Sequence, residues 1–312
     1  MNITVSLVLA ALLLQLMPQA NAQDNEGVPA LKVRATNGET SILIGSMHIP
    51  HENLRQPSPA VLDGAKHFVV EHLTTNDSQT SVSSKQAMRA PEVLENPIKG
   101  KKVRAKWAGF LTESQVEQIR QNVKCRVAAP LPPNFMDDIL SLNSPALASS
   151  LVYMPCSQPG LLSRDDILGR AATDRGIRTA VLETQDTIKT RRDAIPDRIY
   201  AGLLRSAFKT DVRKQLSKIV DALNTGDYLA ISTIVAGTFE TPSDAATFDR
   251  IMVQERNQAW IPVLRPYLDA GHAVIVVGAG HLAGKDGLIA LLVKAGYTLE
   301  PVALRTNQPT SN

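Results

Sequence analysis

Hydrophobic and polar positions along the chain predict strands near its two ends and helices between them. Two apolar segments, residues 31–35 and 40–44, flank Asn37-Gly38, a pair that is typical of a β-hairpin turn. A short helical pattern and another apolar strand follow over residues 57–70. The chain is therefore predicted to open with a hairpin and a β-α-β unit whose crossover is right-handed.

The carboxyl-terminal part repeats this strand-rich pattern, whereas the middle of the chain is helical. Residues 273–277 and 297–302 are predicted strands, with a helix at residues 286–295 between them. Pro262 and Pro266 are expected to kink or restart the helix that precedes them. The middle of the chain has helical patterns at residues 112–123, 134–142, 164–175, 197–224, 226–236 and 243–260, and a strand pattern at 179–182. We therefore predict an α/β fold, with a mixed central sheet built from both sequence ends and a helical middle insertion over one edge.

The first residues of the chain have the pattern of an export signal. Residues 3–17 are mostly apolar, Pro18 interrupts them, and residues 20–22 (Ala-Asn-Ala) match the small-residue rule for cleavage. No Lys or Arg precedes the apolar stretch, which departs from the usual signal, and an uncleaved anchor is the alternative. We expect cleavage near Ala22-Gln23 and a periplasmic or secreted protein that contacts the membrane only through this segment.

After cleavage the chain is expected to form one domain over residues 23–305, followed by a flexible tail over residues 306–312. The net charge of +3 is small and dispersed, which argues against a nucleic-acid-binding protein. Cys125 and Cys156 are the two cysteines, and an exported protein often pairs them, so a disulfide between them is an open possibility. Neither cysteine has a C-x-x-C partner, which argues against a zinc site built on them.

Three residues that follow predicted strands are candidates for one metal site. His48 follows Gly45 by three residues, His281 follows Gly278 by three, and Glu71 ends another strand. Ligands of open α/β sheets bind at the carboxyl ends of the strands, so the three side chains are expected to converge, with each glycine allowing positive φ or close backbone approach. Two imidazoles and a carboxylate suit Zn, Mn, Fe or Co and leave a position for water. The alternative is that both histidines are merely hydrogen-bonded turn residues.

A dinucleotide-binding turn is a competing interpretation of the second histidine segment. Gly278-x-Gly280-x-x-Ala283 follows a strand, precedes a predicted helix and has Glu300 at the end of the next strand. Two observations argue against this interpretation: few residues follow the motif, and nicotinamide cofactors are scarce outside the cytoplasm.

Two further polar motifs are candidate parts of a site. The segment that begins at His51 resembles the H-E-x-x-H motif of zinc proteases, but Arg55 replaces its second histidine, so the motif fails. Glu255, Arg256 and Asn257 are consecutive residues of a predicted helix, so at most two of them can face a site. Arg256 is a candidate for binding a substrate carboxylate or an oxyanion, and a surface triplet is the alternative.

Several short motifs taken together resemble the TraB/GumN family, whose animal relatives are the Tiki metalloproteases. They occur in the family's order and span nearly the whole predicted mature chain, and the longest of them is the most specific. The motifs are residues 43–48 (LIGSMH), 69–71 (VVE), 182–184 (LET), 255–257 (ERN), 277–288 (VGAGHLAGKDGL), 291–292 (LL) and 296–297 (GY). Ser46-Met47 departs from the small or β-branched pair expected in the family and leaves the histidine in place.

The resemblance implies one domain with a fold like that of erythromycin-esterase-like, ChaN-like and Tiki-like proteins. It also implies a metal-dependent hydrolase, with His48 and His281 as metal ligands, Glu71 as ligand or general base, and Arg256 orienting the substrate. A divalent Mn, Co or Zn ion held there would activate water for attack on a carbonyl, with proton transfer through Glu71. The expected substrate is a peptide or protein. The alternative is a non-catalytic periplasmic protein that binds a peptide, haem or metal in the same cleft.

Overall fold

The computed structural model describes residues 27–72, 99–100, 102–125, 130–153 and 160–307. The predicted export signal and the end of the predicted tail lie outside these residues. Cys125 is disulfide-bonded, while Cys156, the other cysteine of the chain, also lies outside them. None of the helices in the described part of the chain is both long and apolar enough to cross a membrane.

A six-stranded mixed sheet forms the centre of the described structure, as predicted. Its strands are β1 (Val28–Arg34), β2 (Thr40–Ser46), β3 (His67–Val70), β4 (Arg178–Val181), β5 (Ala273–Gly278) and β6 (Thr298–Leu304). They lie side by side in the order β4-β3-β5-β2-β1-β6. β1 runs antiparallel to both of its neighbours, β2 and β6. The pairs β2–β5, β5–β3 and β3–β4 are parallel. Strands from both sequence ends therefore meet in one sheet.

The amino-terminal hairpin is confirmed. β1 pairs with β2 from Leu31 opposite Leu43 to Arg34 opposite Thr40. Gly38 has φ +90° in the turn between them, a conformation that glycine adopts without steric cost. The segment after β2 differs from the prediction, because a short 3₁₀ helix, Pro59–Leu62, stands where a longer helix was expected.

The last sequence region supplies the middle of the sheet. β5 lies between β2 and β3, so the early strands leave a gap that residues from the far end of the chain fill. All six residues of β5 are buried, as expected for a parallel strand covered on both faces. The register sets Ser46 opposite Gly278, and Val70 opposite Val276, so the carboxyl ends of three parallel strands share one edge.

Helices cover both faces of the sheet and also form a separate lobe. They are α1 (Glu113–Lys124), α2 (Phe135–Ser141), α3 (Ala146–Tyr153), α4 (Arg164–Asp174), α5 (Gln185–Asp193), α6 (Asp197–Ala207), α7 (Val212–Thr225), α8 (Tyr228–Ala236), α9 (Pro242–Asp249), α10 (Glu255–Ala270) and α11 (Leu288–Lys294). Val274 and Val276 of β5 pack in one apolar cluster with Leu168 of α4. Ile275, on the alternate face of β5, packs in another cluster with Trp260 of α10. α1, α2, α3 and part of α6 bury their apolar residues in a core of their own.

The long helical segment near residue 250 differs from its prediction in two ways. A π-helical turn, Arg250–Gln254, separates α9 from α10. The sequence predicts a kink or a restart of the helix at Pro262 and Pro266; the helix does not restart there, because both prolines lie inside α10, which continues to Ala270. Buried side chains on both sides of the prolines, Trp260 and Leu268 among them, hold the helix against the sheet and compensate for the two missing N–H donors.

Candidate metal centre

His48, Glu71 and His281 converge at the shared edge of the sheet, where β2, β3 and β5 end. His48 Nε2 lies 3.2 Å from Glu71 Oε1, and His281 Nε2 lies 3.9 Å from the same oxygen. The backbone N–H of Gly278 donates a hydrogen bond to that oxygen at 2.6 Å. Glu71 is therefore the residue that both imidazoles face. The parallel register of the three strands causes this convergence, because their last residues lie at one level.

His48 reaches this position from an unusual backbone conformation. Its φ is +58°, which non-glycine residues adopt only rarely. Its Nδ1 lies 3.1 Å from Asp165 Oδ1, and its side chain is 45% exposed. Partial desolvation lowers the pKa of His48, but the carboxylates of Asp165 and Glu71 outweigh that effect and raise the pKa well above its usual value.

His281 is enclosed and stays neutral. It ends a 3₁₀ turn, Ala279–His281, and its side chain is only 8% exposed. Its Nδ1 lies 2.7 Å from Asn257 Oδ1, which can only accept, so the proton is on Nδ1 and the lone pair of Nε2 points into the site. Burial lowers the pKa of His281 to about 3, although the charge of Glu71 opposes this shift.

Arg256 faces the site as predicted, but it is buried and bonded to protein groups. Its Nη2 donates to Glu71 Oε2 at 2.6 Å, and its Nε donates to Glu183 at 2.7 Å. Its Nη1 lies 3.0 Å from Nε2 of His281. The guanidinium carbon also lies 4.7 Å from the ring centre of Trp260, a cation–π distance. Arg256 thus joins the two carboxylates and one imidazole of the site into one network.

The three consecutive residues at the start of α10 divide between the site and the surface. Arg256 and Asn257 are buried in the site, while Glu255 forms ion pairs with Arg191 and Arg250 instead. The prediction that at most two of them face the site is confirmed.

The structure brings four further residues to the site: Asp165, which sequence reasoning did not single out, and Asn257, Glu183 and His72, to which it gave no specific role. Asp165 and Asn257 contact the Nδ1 atoms of the two site histidines. The ligand atoms of Glu71, His72 and Glu183 lie within 4.8 Å of one another, a second set of donors that shares Glu71. The sequence offers one signal near Asp165. Its neighbour Arg164 falls on the apolar face of α4, where a charged residue is unusual and draws attention to this turn of the helix.

Both glycines of the histidine motifs permit close approach, and neither has positive φ. A Cβ on Gly278 would lie 2.9 Å from His48 Nε2 and 3.1 Å from Glu71 Oε1. A Cβ on Gly45 would lie 3.0 Å from the ring of Tyr228. The left-handed conformation expected at the first turn falls on His48 itself.

The dinucleotide interpretation does not fit this geometry. The glycines of that motif lead into the 3₁₀ turn Ala279–His281, and the next helix, α11, begins only at Leu288. No helix N-terminus therefore follows the strand directly, as the pyrophosphate site of such folds requires.

The charges and donor atoms of the site suit a divalent cation. Two carboxylates, those of Glu71 and Glu183, bond to the guanidinium of Arg256, and a third, that of Asp165, lies beside His48. With neutral imidazoles, this balance leaves a net negative charge. Each imidazole is bonded at Nδ1 and directs Nε2 inward, the arrangement that outer residues impose on metal-ligating histidines. Among the described residues, the set whose ligand atoms all lie within 4.8 Å of one another is Glu71, His72 and Glu183. A metal held by His48, Glu71 and His281 would require Arg256 to give up its contact with His281.

Fold and site together define an α/β protein with a two-histidine, one-glutamate centre. A comparison with protein-family models matches residues 30–301 to the TraB/PrgY/gumN family. The match covers nearly all of the described sheet and every residue of the site, so the chain belongs to this family. Neither the curated proteins nor the solved structures gave a match to the chain.

Proposed function

We propose that the protein is an exported metal-dependent hydrolase that cleaves peptide bonds. Its divalent ion would be held by His48, Glu71 and His281. The observation that carries the proposal is the orientation of the two imidazoles: both direct Nε2 toward one oxygen of Glu71, at 3.2 Å and 3.9 Å. The apolar segment and cleavage pattern at the start of the chain support export.

Glu71 is better suited to bind the cation than to accept a proton. Burial alone would raise its pKa, but the hydrogen bond from His48 and the charges of His48 and Arg256 outweigh burial and hold the pKa well below its usual value. A carboxylate that resists protonation is a weak general base. When bound, the metal would supply Lewis-acid activation of water and of the scissile carbonyl.

Arg256 would position Glu71 rather than the substrate. Its guanidinium is buried, and it contacts Glu71, Glu183, His281 and a backbone carbonyl. Such a bonded guanidinium orients the carboxylate of Glu71 and neutralises part of the charge around the cation. The sequence-based role of Arg256 in orienting substrate is therefore replaced by this one in our proposal.

A second candidate function is non-catalytic binding in the same cleft. One observation favours it: Arg256 already bonds to Oε2 of Glu71 and lies 3.0 Å from Nε2 of His281, and both residues would be needed to hold a metal. A binding protein would retain its ligand stoichiometrically and form no product.

Metal analysis by mass spectrometry tests the proposal. The mature protein is purified without chelator or affinity metal, beside a His48→Ala/His281→Ala variant and a His51→Ala control. His51 lies in the same loop as His48, and its Nδ1 accepts a hydrogen bond from the nearby backbone N–H of Asn53. We expect about one transition metal per chain in the wild type and the control, and none in the double variant.

Peptide hydrolysis then separates the two candidate functions. Turnover of a peptide library by the metal-loaded wild type, absent from the double variant, supports the hydrolase. Metal binding without turnover favours the binding protein. No metal in the wild type, even after reconstitution with Mn²⁺, Co²⁺ and Zn²⁺, contradicts the proposal.

A further inference from the structure

Asp165 connects the first turn of α4 to the histidine turn after β2. Its Oδ1 lies 3.1 Å from Nδ1 of His48, and its Oδ2 accepts a hydrogen bond from the hydroxyl of Ser46. The oxygen of that hydroxyl also accepts a hydrogen bond from the backbone N–H of His48 at 3.1 Å. The carboxylate and the hydroxyl therefore hold both the ring and the backbone of one residue.

The helix that carries Asp165 is fixed against the same loop. Ser163 caps α4, and a hydrogen-bonded capping box with Asp166 completes its first turn. Arg164 is fully buried, with no exposed area, and its Nη1 donates to the carbonyl of Gly45 at 2.6 Å. Its Nη2 donates to the carbonyl of Arg55 at 2.8 Å. Arg164 thus bonds to the chain before and after His48, and so sets the distance from Asp165 to the imidazole.

His48 needs this support more than His281 does. A non-glycine residue at φ +58° is held in a conformation that costs free energy, so surrounding contacts must maintain it. The ring of His48 is also 45% exposed, so packing alone does not fix it. An imidazole with no partner on Nδ1 would be free to carry its proton on either nitrogen and to rotate about its side-chain bonds.

We propose that Asp165, assisted by Ser46, is the positioning residue of His48: it holds the proton on Nδ1 and the ring in the orientation that directs Nε2 at Glu71. Asp165 would act through His48 at the metal centre proposed above, so its effect on metal binding rests on that function. Its effect on the tautomer and orientation of the His48 ring does not depend on that function. Asp165 would not touch substrate.

Two measurements on the Asp165→Asn variant test this role. The first is the tautomer of His48, read from ¹H–¹⁵N spectra of metal-free, histidine-labelled protein at a pH above the titration of His48. The chain has six histidines, and His48→Ala assigns the signal. The second is the dissociation constant for Co²⁺ or Zn²⁺. The isosteric amide can turn its NH₂ toward Nδ1, which removes the preference for a proton there.

Asp166→Asn is the matched control. This substitution removes the same charge from the same helical turn. The carboxylate of Asp166, however, accepts hydrogen bonds from the backbone N–H and the hydroxyl of Ser163 and not from His48. Both ring nitrogens of metal-free His48 face a carboxylate oxygen, Nδ1 that of Asp165 and Nε2 that of Glu71. We expect a populated Nδ1–H tautomer in the wild type and in the control, and a shift to Nε2–H in Asp165→Asn. We expect metal affinity about 10- to 100-fold weaker in Asp165→Asn, as for outer residues of other metal sites. Ser46→Ala, which keeps the carboxylate, is expected to give a smaller shift.

The outcomes separate this proposal from the proposed function. If the wild type binds no metal, the hydrolase proposal fails, and the tautomer alone decides the role of Asp165. If the tautomer is the same in Asp165→Asn and the control, Asp165 does not position His48. Equal metal affinity in those two variants, with a wild type that binds metal, also overturns the role. Should Asp165→Asn fail to fold, Asp165→Ala provides the same comparison, and a tautomer equal to that of the control overturns the positioning role. An unchanged tautomer in Ser46→Ala overturns only the assistance of Ser46.

Discussion

The two histidine turns share one spacing in the sequence and differ in almost every physical property. His48 is 45% exposed, has φ +58° and is bonded at Nδ1 to a carboxylate. His281 is 8% exposed, ends a 3₁₀ turn and is bonded at Nδ1 to an amide. The pKa of His48 is raised by its carboxylate partners, whereas burial lowers that of His281 to about 3. Equal spacing therefore produces one imidazole that favours a positive charge and one that excludes it.

The difference comes from the helices that cover each turn. Asp165 reaches His48 from α4, and Asn257 reaches His281 from α10, where Trp260 also lies 4.4 Å from the imidazole ring centre. The strands bring the two rings to one carboxylate, and the helical part of the chain decides the charge and enclosure of each. Four tests below separate these contributions.

Removal of Arg256 is expected to have the largest effect, because it acts on the carboxylate that both turns share. Arg256→Ala leaves Glu71 and Glu183 buried without their cation, which should lower the free energy of unfolding by about 3–5 kcal/mol. Added divalent metal should recover part of the loss if it binds between the same groups. Urea denaturation without Zn²⁺ measures the loss of stability, and denaturation with Zn²⁺ measures the recovery.

Arg250→Ala is the control for that experiment. Arg250 pairs with Glu255 on the same helical segment, but its side chain is 56% exposed, so its loss should cost no more than about 1 kcal/mol. Equal destabilisation by the two substitutions would show that the buried network does not depend on Arg256.

Gly278→Ala is expected to disturb both turns at once through a single methyl group. The new Cβ would lie 2.9 Å from His48 Nε2, so the imidazole must move away from Glu71. We expect metal binding to be lost and the free energy of unfolding to fall by about 1–3 kcal/mol. In Gly280→Ala the Cβ would meet no atom within 4 Å, and metal binding should be unchanged. Retained metal affinity in Gly278→Ala would contradict the close packing described here.

The outer partners of the two histidines should differ in their effect on stability. Asn257→Ala removes the acceptor for His281 Nδ1 and two donors, to the carbonyls of His281 and Asp286, all in a buried position. The expected cost is about 1–3 kcal/mol for groups left unpaired away from water. Asp165→Asn should lower the free energy of unfolding by less, because water can reach the exposed ring of His48 and bond to it. Chemical denaturation of both variants measures the difference, and equal costs would indicate that exposure does not distinguish the turns.

The smallest intervention changes no residue and follows the protonation of the two rings. In metal-free protein, NMR titration should show His48 becoming neutral only well above pH 6.5, while His281 stays neutral until the pH approaches 3. By linkage, His48 stabilises the fold below pH 6.5 and loses that contribution as the pH rises through its folded pKa. His281 opposes folding as the pH falls from 6.5 toward 3. Titration of both rings near pH 6.5 would contradict the contrast between them.

Sequence reasoning succeeded where a local pattern and a general rule of sheet geometry acted together. The hairpin around Gly38, the strand before Glu71 and the convergence of three strand ends followed from apolar segments and from the position of ligand sites in α/β sheets. The prediction of a helix restart at Pro262 and Pro266 was wrong, because packing of Trp260 and Leu268 outweighs the cost of two missing hydrogen bonds. Sequence reasoning also missed Asp165, whose partner His48 is distant in sequence.

The sequence by itself determined the family, the strand-forming segments and the residues with which the centre is built. Those features depend on residue types and spacings within short segments, which the linear pattern preserves. Only the tertiary structure decided which helix covers each histidine, that Arg256 is bonded to Glu71 and Glu183, and that the two imidazoles differ in charge. Those properties depend on distances of a few ångströms between residues far apart in the chain, and burial and electrostatics act over such distances rather than along the sequence.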